Sequence, residues 1–203
     1  MIALDTNALS LLFVPGAVVC KRGTNMPIKH AKERVEELIR TLSQNRDRIL
    51  ISTPTLSEFL VKVPPAKIQL LVNELQRSAN FKIQPFDTAC AVELADRTAA
   101  AIASPQGKRA GTKPGTEWAK VKFDRQIMAV AITSGASMMI SNDEDLVAIG
   151  KEWKFPVMGI EDLPLPESHK PPPIYEMLEA ASEEGPTTGE AKEKLQIEGE
   201  STE

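Results

Sequence analysis

The chain has 203 residues, 42% of them hydrophobic, and a formal net charge of −4, which suits a domain of ordinary size with a sizeable buried core plus a further segment. The start, Met-Ile-Ala-Leu-Asp, lacks a basic stretch leading into a long apolar run, and no apolar stretch nears the roughly 18–20 residues that span a bilayer, so neither a secretory leader nor a membrane segment is expected. Two cysteines, Cys20 and Cys90, without CxxC spacing speak against a disulfide framework or zinc knuckle and fit a reducing, cytoplasmic setting.

Met1–Leu4 reads as a short buried strand ending at Asp5, and residues 28–43 carry apolar side chains at helical spacing (Ile28, Ala31, Val35, Leu38, Ile39, Leu42). Ile49–Ser52 is a second strand. Thr53-Pro54 reads as a cap with proline at the first helical position, opening a helix to about Val61. A helix over 65–77 and a weakly marked strand at 82–84 follow, then Asp87 as the cap of a helix over 88–103. Residues 104–117 (SPQGKRAGTKPGTE) form a basic Gly/Pro-rich loop. A helix from about Trp118 stops near Gly135, and strands are expected at 137–141 and 156–159. Strands alternating with helices of this length predict an α/β protein, with a parallel sheet covered by helices on both faces. In such sheets ligands bind beyond the carboxyl ends of the strands.

From residue 167 onward ten acidic residues face three lysines, a balance of −7, which leaves residues 1–166 at about +3. The expected organisation is a globular domain over 1–165 and an acidic, Pro/Glu-rich, mostly disordered tail over 166–203, with a short helix around 174–182.

Each expected element delivers a carboxylate near the same sheet edge: Asp5 after the first strand, Glu58 one turn into an early helix, Asp124 inside the helix after the basic loop, and Asp143 after the fourth strand. Taken singly, Asp5 and Asp143 read most simply as helix caps and Glu58 as a solvated helix residue. Asp124 is odder, because it falls in an apolar stretch where unpaired carboxylates are rare. Gathered together, such groups repel unless a cation neutralises them. An all-oxygen cluster suits Mg²⁺ or Mn²⁺, and phosphodiester hydrolysis is the chemistry such ions support. Zinc is disfavoured, since the only histidines are His30 and His169.

Asp-Thr-Asn after the first strand, Ser-Glu-Phe in an early helix, Asp-x-x-Ile-x-Ala-x-Ala in a later one and Ser-Asn-Asp-x-Asp-Leu after a strand together resemble the PIN domain, and most of all the VapC-type toxin ribonucleases, over residues 1 to about 165. The resemblance implies a three-layer α/β/α sandwich around a parallel sheet, Mg²⁺ or Mn²⁺ as cofactor, and endoribonuclease activity on structured or translating RNAs. It implies Asp5, Glu58, Asp124 and Asp143 as the metal-binding acids, Asp145 as an auxiliary acid, and Asn7 and Ser141 as polar neighbours that hold them. It also implies homodimers and a small antitoxin protein as partner. The helices at 28–43 and 65–77 could then present an apolar groove to that partner, or simply cover the sheet; both readings stay open. Departures are Phe123 where the family often has Asn before the third acid, Val130 where a small residue is common, and a long segment over 16–27.

An RNA substrate needs cations beside the acids. Lys108, Arg109, Lys113, Lys120, Lys122 and Arg125 lie close to Asp124 in sequence, with Lys122 foremost; ordinary solubilising residues are the simpler reading of each. Trp118 reads as packing at a helix start or as a base-stacking ring. Other readings are an RNA-processing PIN nuclease outside toxin systems, or a PIN-fold binding protein without catalysis. An Asp-nucleophile phosphatase would want an acid where Asn7 stands, and the Lys and acid pattern of a phospho-receiver is missing.

Overall fold

The computed structural model describes residues 1–105, 107–113 and 115–169, and its contacts divide the chain into a unit over Met1–Pro166 and a second over Glu167–Glu203. The expected helix around 174–182 and the expected disorder of the tail lie outside the described residues.

The first unit holds five strands in one parallel sheet: β1 (Ile2–Leu4), β2 (Ile49–Ser52), β3 (Phe81–Gln84), β4 (Met138–Ile140) and β5 (Val157–Met158), in the order β3-β2-β1-β4-β5. Seven α-helices accompany them among the described residues: α1 (Thr6–Phe13), α2 (Ala31–Gln44), α3 (Thr53–Leu60), α4 (Pro65–Arg77), α5 (Thr88–Ala103), α6 (Trp118–Thr133) and α7 (Glu144–Trp153). None is long and apolar enough to cross a membrane.

Side-chain alternation along the strands builds the layers. Leu4, Ile49, Ile51 and Ile140 point into a core shared with α1, α2 and α3, whereas Ala3, Leu50 and Met139 point into a second core shared with α5, α6 and α7. A central strand buried on both faces must be apolar throughout, which is why these runs carry no polar alternation. The result is an α/β/α sandwich. β3 is an edge strand, only half-buried along its length, and its mixed Phe-Lys-Ile-Gln composition follows from that position.

Local chemistry sets the helix starts. Ser52, rather than the expected Thr53, caps α3 by accepting from Thr55 N, with Pro54 in the first turn. Asp87 caps α5 through Cys90 N. α7 lies close against β5 at Gly150, where a Cβ would come within 2.5 Å of Val157 Cγ2, so no larger residue fits.

The apolar face of α2 packs inward through Val35, Leu38 and Leu42. α4 buries only Leu75 and leaves Leu70 64% exposed beside a groove of about 390 Å³ lined in part by Phe13, Val63 and Leu71. The apolar face of α2 is therefore taken up by the core, and an open apolar groove lies along α4.

The strand order reverses direction between β1 and β4, the topological switch point at which open parallel sheets bind ligands beyond their carboxyl ends. Asp5 and Asp143 follow those two strands.

Candidate functional site

Asp5 lies immediately beyond β1 and caps α1: its Oδ1 accepts from Ala8 N at 2.7 Å, and its Oδ2 accepts from the Ser141 hydroxyl at the end of β4. Asp143 sits beyond β4 and caps α7, accepting from Asp145 N at 2.8 Å. The capping reading of both residues thus holds in the structure. Asp124 comes from the first half of α6 and is buried. Glu58 projects from α3, exposed, its Oε2 accepting from Thr6 Oγ1. Asp5, Glu58, Asp124 and Asp143 line one cavity of about 340 Å³ together with Thr6, Asn7 and Lys120. Carboxylate oxygens of Asp124, Asp143 and Asp145 come within 4.8 Å of one another.

At the centre of that trio is the ammonium of Lys120. Its Nζ donates to Asp124 Oδ2 at 2.7 Å, Asp145 Oδ2 at 2.9 Å and Asp143 Oδ2 at 3.1 Å. Burial pulls this lysine down, but its bonds to Asp124 and Asp145 more than offset that and hold it above its usual range. Asp145 is held below the usual carboxylate range: burial raises it, and the Lys120 and Thr116 hydrogen bonds outweigh that. Asp124 goes the other way, pushed up to about 6 by burial, with Asp143 and Asp145 adding repulsion that Lys120 only partly relieves. Asp5, 3% exposed, is also pushed up to about 6 by burial, against the Ser141 and Ala8 hydrogen bonds.

These two elevated carboxyls set a pH dependence. In the unfolded chain an Asp loses its proton near pH 3.8, whereas in the native protein Asp5 and Asp124 keep theirs to about pH 6. Between those values the native state binds more protons, so stability falls as pH rises and levels off above about 6. At roughly 1.4 kcal/mol per pKa unit the loss is on the order of 3 kcal/mol per group. In metal-free buffer, Asp5→Asn is expected to gain on the parent protein in chemical-denaturation stability between pH 4 and 7; parallel curves would contradict the elevation.

The cations expected to meet RNA are placed unequally. Lys108 and Arg109 are exposed in the 107–117 loop, Lys108 over the Trp118 ring at 5.1 Å and Arg109 donating to Thr116 O. Lys122 is exposed but does not line the acid cavity. Arg125 is buried, contrary to a phosphate-facing role: its Nη2 donates to Ala110 O at 2.9 Å and its guanidinium lies 5.7 Å from the Trp118 ring centre. Helix geometry explains the split. At about 100° per residue, Lys120, four residues before Asp124, shares its face, Lys122 points to the opposite side, and Arg125 turns inward beneath the loop. Trp118 is thus packed between Lys108 and Arg125.

Arg125 acts as the anchor of the loop that brings Lys113 N and Thr116 Oγ1 to Asp145 Oδ1. Arg125→Met is expected to loosen residues 107–117, read as faster amide exchange there with slow exchange retained in β1, β2 and β4. Unchanged exchange in the loop would remove the anchoring role. Lys120 and Thr116 have site contacts that the acid motifs do not announce; the (i, i+4) spacing of Lys120 and Asp124 was the available signal for the lysine.

The donor chemistry at Asp124, Asp143 and Asp145 fits a hard divalent cation: three carboxylates within reach of a common point, with no nitrogen or sulfur ligand in the set.

No protein-family model matches the sequence, and no curated protein matches it. Among solved structures, the fold is similar to VapBC2 from Rickettsia felis bound to a DNA fragment from its promoter (14% identity, 78% of this chain and 98% of that chain covered, TM-score 0.49). It is also similar to DNA-bound VapBC from Salmonella typhimurium (16% identity, 78% and 97% covered, TM-score 0.46).

Proposed function

We propose that this chain is a metal-dependent endoribonuclease that hydrolyses RNA phosphodiester bonds at the carboxylate cluster beyond β1 and β4. The observation that carries the reading is the convergence of Asp5, Glu58, Asp124 and Asp143 on one cavity, with Asp145 completing an all-oxygen trio beside it. A purely structural protein gains nothing from burying repelling carboxylates at a sheet edge.

Asp124, Asp143 and Asp145 would hold Mg²⁺ or Mn²⁺, whose contribution is to acidify a bound water and stabilise charge on phosphate oxygens. Asp5 is clamped by Ser141 and Ala8, so it offers the metal side of the pocket a carboxylate with little rotational freedom left to lose. Glu58 stands exposed at the mouth, oriented by Thr6, and is the carboxylate placed to accept a proton from an attacking water. Asn7, exposed on the same wall, is a donor for a phosphate or ribose oxygen. A toxin role with an antitoxin partner, and assembly as a homodimer, belong to this proposal through the family likeness of the motifs; the open groove along α4 is the surface left for the partner.

One observation favours a second reading. Lys120 already supplies a counter-charge to the trio, so a binding protein of this fold could keep the cluster without metal. Mn²⁺ decides between them. A catalytic site cleaves RNA in Mg²⁺ or Mn²⁺, stops with EDTA, and gains thermal stability on Mn²⁺ addition, because a ligand that binds only the native state must stabilise it. Absence of both cleavage and a thermal shift would leave the binding-protein reading.

A further inference from the structure

The long segment over 16–27 is built into the site. Ile28 N donates to Val19 O and Lys21 N to Met26 O, each at 2.9 Å, and Cys20 pairs antiparallel with Pro27, so the chain folds into a short hairpin. Its turn uses Gly23 at φ +68°, where an added Cβ would come within 3.2 Å of Glu144 Oε1; the tip therefore lies against the first turn of α7. Two side chains fasten the hairpin to the end of β4. Asn142 Nδ2 donates to Cys20 O at 3.2 Å while its Oδ1 accepts from Ile160 N at 2.8 Å. Arg22 Nη2 donates at 2.7 Å to the carbonyl of Ser141, whose hydroxyl holds Asp5. The hairpin is thus positioned by the same strand end that positions the acids.

Between the hairpin and α7 lies a cavity of about 940 Å³ that shares Asn7 and Asp143 with the acid pocket. Its walls differ in charge. Asp143, Glu144 and Asp145 form one side, and Lys21 and Arg22 face them from the hairpin. Lys113, also in the wall, is paired with Glu144, and Arg22 is engaged with Ser141. Lys21 is exposed and makes no ion pair among the described residues. A polyanion lying across the acids is repelled by them everywhere except where a metal stands, so its next phosphate is favoured only against a cationic wall.

We propose that this cavity is the subsite for the RNA strand flanking the scissile bond, with Lys21 holding a neighbouring backbone phosphate. The assignment rests on the ribonuclease reading above. It predicts a sequence-independent contribution, because a lysine on a phosphate reads charge and not bases.

The test is fluorescence anisotropy of a labelled single-stranded RNA 12-mer, in Mg²⁺, on a Glu58→Gln background that slows cleavage and leaves the metal-holding acids in place. Lys21→Ala is expected to raise Kd about three- to tenfold and to reduce the slope of log K against log salt by about 0.7, the value for one phosphate contact on a single strand. Lys21→Arg should retain affinity and slope. The thermal midpoint and the Mn²⁺ affinity of Lys21→Ala should match the parent's, separating lost contact from lost fold. RNA binding with an unchanged slope in Lys21→Ala overturns the subsite alone. No RNA binding by the parent overturns the subsite and the ribonuclease reading together.

Discussion

Asp124→Asn and Asp5→Asn should each lower RNA cleavage by at least about 10²-fold, the scale on which single electrostatic contributors to a transition state are lost, while raising the thermal midpoint of the metal-free protein. The two effects share one cause. Both carboxyls are buried among like charges and are pushed up to about 6, so in the ionised form each destabilises the native state. A neutral amide of the same shape removes the cost of burying the charge and, beside it, the repulsion, and it weakens the pocket's hold on a divalent cation. The amide still accepts from Ala8 N at position 5, so the α1 cap survives. Mn²⁺ should stabilise the parent more than either variant. The combination of higher intrinsic stability, lost metal response and lost cleavage distinguishes a site under electrostatic load from a structural pair. Variants that lose stability along with activity would show that these carboxylates serve the fold, and the nuclease assignment would fall. Glu58→Gln is a different case: exposed at the cavity mouth, it should lose rate with little change in either stability or Mn²⁺ response.

Much of this organisation is legible in the residues. Buried parallel strands appear as short apolar runs, and the acids are recognisable because each follows such a run or interrupts an apolar helix. Two helices beside the site are legible only at their starts, through Asp5 and Asp143 as caps. α1 is eight residues of mostly apolar chain directly after a strand, too short for a periodicity to separate from it. α7 carries Gly150 near its middle, a residue that weakens any helical reading and is present because β5 comes so close. β3 is faint because an edge strand needs no continuous apolar face. At the site, the sequence places six cations near Asp124 without saying which face of α6 each occupies. The structure puts Lys120 among the acids, Arg125 under the loop and Lys122 away from the acid cavity. That sorting depends on how α6 rolls against β2 and the neighbouring helices α5 and α7, which is decided by packing of Ile127, Met128 and Val130 and not by motif.

Lys120→Met should tighten Mn²⁺ binding about tenfold and lower the stability of the metal-free protein. In the metal-free state the ammonium bridges Asp124, Asp143 and Asp145, which makes it the trio's resident counter-charge. A divalent ion entering that position must displace it or bind beside it, and either costs free energy. Two unit charges 4 Å apart interact by about 4 kcal/mol at an effective dielectric of 20. The lysine side chain is 42% exposed, so solvent screening removes a good part of this, and about one decade of affinity remains. Methionine keeps the apolar stem and removes only the charge, which leaves three carboxylates uncompensated until metal arrives. Calorimetric titration with Mn²⁺ measures the affinity directly and needs no turnover. Once displaced, the ammonium remains tethered one turn of helix from Asp124, where it can meet the negative charge of a bound phosphate. Cleavage by Lys120→Met should therefore fall even as its metal affinity rises, a split that simple site damage does not produce. Weaker or unchanged Mn²⁺ binding would mean that the lysine and the ion do not compete, and that the trio is an ion-pair network complete in itself.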